Sequence, residues 1–363
     1  MGKRIGAILR GVAAGERITE QDAVTLLGAK GRDVLRVAEA ADEVRQMTVG
    51  DQVTFVRNQN INVTNICVNA CGFCGFSRRP GHPETFAYSL DIIEEKAREA
   101  KDLHHITEIC SVSGLHPDYD AGMYTGIIKA IRRGAPGVHI HAGNPMEVAY
   151  AARQSGISTA EVLLQLKSAG LASLCGTGAE ILVDSVRAAI CPGKIPTDEW
   201  VRIIRECHGM GIPTTATIMY GHIESDADRA RHLAIIREIQ DATNGFTEFV
   251  PLSFIHQQTP IYRQGKARGG ATGREDILMH AVSRLFLDNL RHIQVSWVKL
   301  GQKMAQLLLL SGADDLGGTV YEESISKSAG APATDFLDPQ VMRRMAEDLG
   351  RTLRERNTLY QMI

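Results

Sequence analysis

From about residue 60 to residue 318 the sequence alternates short β-rich runs with amphipathic stretches of helical period. Eight runs stand out, at 61–67, 106–112, 138–142, 172–176, 214–220, 247–254, 292–300 and, weakly, 313–318. Helix-start signals lie between them. Ser158 with Glu161 and Thr272 with Glu275 read as capping boxes. Thr197 precedes Asp198 and Glu199; Trp200, Ile203, Ile204 and Cys207 then recur on one helical face, and Gly209 and Gly211 stop the helix. Strands separated by helices run parallel, because a crossover of that length returns the chain to the same edge of a sheet. Eight such units predict an α/β fold, a TIM-type (β/α) barrel. Leu27, Val34, Leu35 and Ala38 recur at helical spacing ahead of the first run. The expected division is a helical N-terminal extension over 1–55, the barrel over 56–330 and a helical C-terminal extension over 331–363.

A net charge of −2 gives no reason for bulk attraction to nucleic acid or anionic membranes. The longest apolar runs, such as Leu307 to Leu310, fall far short of the roughly 18 residues of a membrane span. The N-terminus turns charged too soon for a signal peptide and reads as a surface helix. Seven cysteines, three of them within eight residues, suit a reducing cytoplasm with metal or redox chemistry better than a disulfide framework.

Barrel chemistry sits where strands end and loops begin. Cys67 follows the first run, Ser113 and Gly114 the second, and His141 and Asn144 the third. Gly176, Gly178 and Glu180 follow the fourth, Tyr220, His222 and Glu224 the fifth, and His256 the sixth. Cys67, Cys71 and Cys74 form C-x3-C-x2-C, with Phe73 just before the last. Thiolates bind both zinc and iron–sulfur clusters. A structural zinc would want a fourth ligand, whereas a cubane held by three thiolates leaves one iron open for a ligand. Cys110, Cys175, Cys191 and Cys207 are scattered and read as small buried hydrophobes.

This cysteine motif directly after a barrel strand resembles the radical S-adenosylmethionine (SAM) superfamily. The resemblance implies a core of six βα units, here completed to eight, and one 4Fe–4S cluster on Cys67, Cys71 and Cys74. It implies SAM chelated to the open iron through its amino and carboxylate groups, with Phe73 beside the adenine. Reductive cleavage would give a 5′-deoxyadenosyl radical, which an enclosed barrel protects from water. ATIMYGHIES (216–225) and the stretch over 231–260 are similar to a group of four enzymes. These are CofG, CofH, aminofutalosine synthase and dehypoxanthine futalosine cyclase. EFVPLSFIH (248–256), ARGGATGREDI (267–277), IQVSWVKLG (293–301), DDLGGTVYEESISKSAGA (314–331) and NTLY (357–360) most resemble the CofH-like family. The resemblance runs from about residue 20 to the C-terminus.

That family is the 5-amino-6-(D-ribitylamino)uracil–L-tyrosine 4-hydroxyphenyl transferases. The resemblance implies that a hydrogen leaves the tyrosine amine, the Cα–Cβ bond breaks to release an imine of glyoxylate, and the 4-hydroxybenzyl fragment adds to C5 of the uracil. It also implies a CofG-type enzyme that completes the deazaflavin FO, and a low-potential ferredoxin or flavodoxin as electron donor.

Within this frame His141, Tyr220 and His222 are the candidates for moving protons. Phe73, Ser113, Gly114, Glu180, Arg187 and Glu224 are the candidates for holding SAM. His141, His256, Gln294 and Ser296 are the candidates for contacting substrate, the last two because they alternate on one face of the seventh run. Each histidine also reads as a hydrogen-bonded structural residue, and the glycines of 176–178 equally suit a tight turn. The chain departs from the family's pattern in three places. Ser113-Gly114 stands for Gln-Gly-Gly, HAGNP (141–145) for HAFSP, and Cys-Gly-Thr-Gly-Ala-Glu (175–180) for Pro-Gly-Thr-Ala-Ala-Glu. Another enzyme of the same quartet, a divergent paralogue, and a non-catalytic zinc or iron–sulfur binding protein stay open as alternatives.

Overall fold

A computed structural model describes residues 2–331 and 336–363. Three helices open the chain, α1 (Gly2–Ala13), α2 (Glu20–Leu27) and α3 (Arg32–Val49). Then come β1 (Gln52–Val56), β2 (Asn58–Asn60), α4 (Leu90–His104), β3 (Glu108–Ser111), α5 (Ala121–Gly134), β4 (His139–Ala142), α6 (Pro145–Ser155) and α7 (Thr159–Ala169). Next are α8 (Asp184–Ile190), α9 (Thr197–Gly209), β5 (Thr214–Tyr220), α10 (Asp226–Thr243), β6 (Phe246–Ser253), α11 (Pro260–Arg263) and α12 (Gly273–Phe286). The chain ends with α13 (Trp297–Leu309), β7 (Asp315–Gly318), α14 (Ile325–Ala329), α15 (Pro339–Glu347) and β8 (Thr352–Glu355).

Both expected capping boxes form. Ser158 and Glu161 close the start of α7, and Thr272 and Glu275 that of α12. The apolar face of α9 is buried through Trp200, Ile203, Ile204 and Cys207, each such side chain contributing about 1.5–3 kcal/mol on leaving water.

All strand-to-strand pairings are parallel, in sheets ordered β7-β1-β8, β2-β3-β4 and β5-β6. Single parallel bridges join them: His141 to Ser173, Leu174 to Thr214, Phe249 to Ile293 and Gln294 to Asp315. Followed in order, the pairings lead from β2 through β3, β4, residues 173–174, β5, β6, residues 293–294 and β7 back to β1.

Three expectations shift. The first strand is 52–60, interrupted at Arg57, rather than 61–67. Asn62, Thr64 and Asn65 spend their side chains on backbone carbonyls instead. Asn62 Nδ2 donates to the Val112 carbonyl at 2.8 Å, Thr64 Oγ1 to Phe86 at 2.7 Å and Asn65 Nδ2 to Glu84 at 2.9 Å. Such bonds compete with a ladder. The fourth and seventh runs shrink to isolated bridges, and the seventh turns helical from Trp297. The C-terminal segment is not helical throughout: β8 lies parallel to β1, from Gln52 opposite Thr352 to Phe55 opposite Glu355.

Candidate active site

Alternation along the strands decides which side chains face the interior. Glu108, Cys110 and Val112, then Thr215 and Thr217, then Glu248, Val250 and Leu252 line one cavity of about 270 Å³. His141, Cys175, Gln294, Ser296, Arg356 and Thr358 complete much of its wall. Residues one step along each strand point the other way.

A second cavity, of about 230 Å³, lies against the cysteine loop. Cys67, Cys71, Phe73, Cys74, Ser113, Gly114, Glu147, Glu180 and Lys194 line it. Val112, Thr177, Leu252, Lys299, Ile325 and Ser326 belong to both walls, so the two cavities adjoin. The cysteine loop is pinned by backbone bonds. Cys67 N–H donates to Arg78 at 2.9 Å, Gly72 N–H to Ile190 at 2.8 Å and Cys74 N–H to Cys71 at 3.1 Å. Gly114 allows the end of the second strand to reach this loop, since a Cβ there would sit 2.3 Å from the Ile66 carbonyl oxygen.

The loop thiols suit a polynuclear centre. Among the described residues, the ligand atoms that draw together in threes within 4.8 Å belong to Cys110, His141 and Cys175, not to the loop cysteines. One zinc ion with thiolates at about 2.3 Å would hold its sulfurs within about 4.6 Å of one another. The three loop sulfurs do not all lie within 4.8 Å of one another. Burial pushes the Cys67 thiol up and the Cys71 thiol up to about 12. A cationic centre would favour the thiolate forms of these two sulfurs.

The same cavity carries its own charges. Lys194 pairs with Glu180 and lies 5.3 Å from the centre of the Phe73 ring. Burial opposes the Glu180 charge, but Lys194 and Arg187 hold its carboxyl below the usual range. Among the described residues no cation forms a salt bridge with Glu147, although the charge of Lys194 acts on it. Glu147 Oε2 accepts from Asn144 Nδ2 at 2.7 Å, and burial lifts its carboxyl to about 8. Asn144 also caps α6, its Oδ1 accepting from the backbone of Met146 and Glu147. Ser113 Oγ accepts from the Val63 backbone at 3.0 Å, which leaves the hydroxyl its one proton to donate.

The strand-lined cavity has a charged end built by the C-terminal tail. Arg356 donates to Asp315 at 2.6 and 2.9 Å and to Glu248 at 3.2 Å. Thr358 Oγ1 and Asn58 Nδ2 donate to Glu108 at 2.7 and 3.1 Å. Burial works against the Glu108 charge, but His141, Thr358 and Arg356 keep its carboxyl below the ordinary value. Burial raises Glu248 to about 7 despite Arg356. His141 is buried, held by Ser173 Oγ at 2.7 Å, and its pKa is lowered by burial.

Ten of the residues singled out from the sequence thus meet in the two adjoining cavities: Cys67, Cys71, Phe73, Cys74, Ser113, Gly114, Glu180, His141, Gln294 and Ser296. Five do not line either. Tyr220 sits on the outward face of β5, where its hydroxyl donates to Asp276 at 2.7 Å. His222 Nε2 bonds the Met219 carbonyl at 3.0 Å and its Nδ1 accepts from the Ile223 backbone at 2.8 Å. Glu224 accepts from the backbone of Gly221 and His222 and pairs with Arg229. Arg187 spends its guanidinium on backbone carbonyls, among them Gly178 at 3.2 Å and Ile195 at 2.5 Å, and so shapes the loop that carries Glu180 and Lys194. His256 packs its ring against Tyr262 at 4.4 Å.

Sequence reasoning assigned no role to Glu147, Lys194, Glu108, Arg356 or Thr358. Asn144 followed three residues on by Glu147 was visible, but it reads as a helix cap. A strand continued through 292–300 would turn Lys299 away from Gln294 and Ser296; the helix that begins at Trp297 brings it into the shared wall.

Comparison with known proteins agrees with this architecture. The radical SAM superfamily description matches residues 61–236, and that of the CofH/MqnC C-terminal region matches residues 243–363. A 5-amino-6-(D-ribitylamino)uracil–L-tyrosine 4-hydroxyphenyl transferase of Methanoculleus marisnigri is 65% identical, covering 98% of this chain and 97% of its own. The protein of that name from Methanothermobacter thermautotrophicus is 48% identical over 97% of this chain and 96% of its own. Among solved structures, methylornithine synthase (PylB) superposes with a TM-score of 0.73 at 18% identity, over 95% of this chain and 97% of its own. The hydrogenase maturase HydG from Carboxydothermus hydrogenoformans gives 0.78 at 14% identity, over 99% of this chain and 81% of its own. These two likenesses show the fold alone. Among the described residues, no helix is long and apolar enough to cross a membrane.

Proposed function

The chain belongs to the 5-amino-6-(D-ribitylamino)uracil–L-tyrosine 4-hydroxyphenyl transferase family of radical SAM proteins, and from that premise we propose how its residues serve the reaction. It is a transferase that moves the 4-hydroxybenzyl group of L-tyrosine to the ribitylaminouracil, a step toward the deazaflavin FO. The observation that carries this reading is the wall shared by the two cavities, because it sets the thiol loop beside a strand-lined chamber that carries polar and charged side chains for a substrate.

Cys67, Cys71 and Cys74 would hold one 4Fe–4S cluster, which together with SAM supplies the hydrogen-abstracting radical. Phe73 offers a ring face beside the Glu180–Lys194 pair for the adenosyl portion. Glu147, buried and outside any salt bridge among the described residues, would accept a hydrogen bond from the amino group of the methionine portion. Ser113 and Gly114 shape that corner. Arg187 acts through the loop it fixes, and Glu224 through the turn after β5.

In the strand-lined chamber Gln294 and Ser296 offer neutral donors and acceptors to the uracil and ribityl groups. His141, its Nδ1 engaged by Ser173, presents Nε2 to bound substrate. Glu248, lifted to about 7, is poised to carry a proton near neutrality. We read the circuit of parallel pairings as a closed eight-stranded (β/α) barrel whose first strand starts at Gln52, so that the N-terminal extension ends before β1, with a C-terminal extension over 331–363. We also propose a cytoplasmic enzyme served by a low-potential ferredoxin or flavodoxin and followed by a CofG-type partner.

The test is anaerobic incubation of the reconstituted, reduced protein with ring-labelled tyrosine and the ribitylaminouracil. Label is expected in a coupled product, with glyoxylate released. SAM cleavage without label transfer would overturn the assignment of this substrate pair.

A further inference from the structure

Cys110, His141 and Cys175 come from three adjacent strands and meet inside the strand-lined chamber. Cys110 on β3 is paired directly with His141 on β4, and His141 is bridged in turn to Ser173, two residues before Cys175. A sulfur of each cysteine and a ring nitrogen of the histidine lie within 4.8 Å of one another, and all three residues line the chamber. Cys175 Sγ now rests 3.8 Å from the His141 carbonyl oxygen, a weak contact easily given up. No cysteine is in a disulfide.

We propose that this trio is a second metal site, taking a single thiophilic divalent ion of the zinc class. Zinc bonds thiolate sulfur at about 2.3 Å and imidazole nitrogen at about 2.0–2.1 Å, so three donors already within 4.8 Å need only small rotamer shifts to close on it. Two thiolates cancel the charge of a divalent ion, so the filled site adds no net charge to a buried chamber. The tautomer is arranged from behind. Ser173 Oγ lies 2.7 Å from His141 Nδ1 and 2.8 Å from His139 Nε2, leaving His141 Nε2 for the ion. Such outer partners orient metal-binding imidazoles. Three protein donors leave a fourth position open, and the chamber is the space it faces, so a nitrogen or oxygen of a bound substrate can complete the tetrahedron. His141 then reaches substrate through the ion. The site shares no residue with the cysteine loop, and it stands whether or not the chamber takes the tyrosine and uracil pair.

The test uses the full chain, purified anaerobically, with Cys67→Ser, Cys71→Ser and Cys74→Ser so that the loop cannot bind metal. Titration with Co2+ is expected to give thiolate-to-cobalt charge-transfer absorbance and tetrahedral d–d bands that saturate at one ion per chain. Adding Cys110→Ser or Cys175→Ser should remove charge-transfer intensity, and Ser173→Ala should weaken cobalt binding by about 10–100-fold. Circular dichroism reports that each variant is folded. If the triple variant does not fold, the same titration is made on wild-type protein with its cluster fully loaded. Absence of charge-transfer absorbance, its survival in Cys110→Ser/Cys175→Ser, or a Cys110–Cys175 disulfide in the anaerobic protein would each overturn the assignment.

Discussion

Arg356 holds Asp315 through two hydrogen bonds, Nε at 2.6 Å and Nη2 at 2.9 Å, and both side chains are buried. Thr54 Oγ1 reaches the same carboxylate at 2.5 Å. The pair ties the C-terminal tail to β7 and β1 at the charged end of the chamber. Arg356→Met leaves Asp315 without a cation and should cost about 3–5 kcal/mol. Chemical denaturation would read this as a lower midpoint. An unchanged midpoint would show that the pair does not hold the tail.

Glu147 predicts a proton signature for SAM binding. Its carboxyl is lifted to about 8 from 4.5, so the neutral form is favoured in the folded chain. Its contribution to stability is therefore fully present below pH 4.5 and is lost as pH rises through about 8. An N–H donor of the SAM amino group placed against it favours the charged form, so binding near pH 7 should release close to one proton from this carboxyl. Calorimetry in two buffers of different ionisation enthalpy measures this. Equal proton release from Glu147→Gln would remove Glu147 from the SAM site.

The three loop cysteines should be indispensable to the cluster and Cys207 should not. Any one of Cys67→Ser, Cys71→Ser or Cys74→Ser is expected to lower iron content and visible absorbance and to abolish SAM cleavage. Cys207→Ser, on the buried face of α9, is expected to keep both. Normal iron and turnover in a Cys71→Ser protein would refute the triad.

Tyr220 faces away from both cavities. Tyr220→Phe removes a buried hydrogen bond to Asp276 and should cost about 1–3 kcal/mol. Turnover per folded molecule and the KM for SAM should stay near wild type. A fall in turnover with no loss of stability would return Tyr220 to the chemistry.

Much of the site was legible. C-x3-C-x2-C is a local motif, and its spacing survives any packing. Gln294 and Ser296 line the same cavity, in keeping with their alternation along the chain beside the bridges at 293–294. The residues that fall outside the cavities do so for two reasons. Thr215, Thr217 and Met219 line the cavities, so the period of two turns Tyr220 outward, although it sits at the expected strand end. Nothing local states which parity faces in. His222 and Glu224 follow a strand as expected, yet they spend their donors and acceptors on the turn itself.

The sequence by itself determined the strand–helix rhythm, the helix caps and the triad of thiols, because each is set by spacing within a few residues. Tertiary structure alone decided the rest. Thr358 meets Glu108 across 250 residues and Arg356 meets Glu248 across 108, pairings that depend on β8 docking beside β1. Glu147 became a candidate for SAM because the fold buries it outside any salt bridge among the described residues, and Cys110, His141 and Cys175 became a cluster because three separate strands are neighbours. Burial and strand adjacency belong to the assembled fold, and neither is a property of any short stretch of chain.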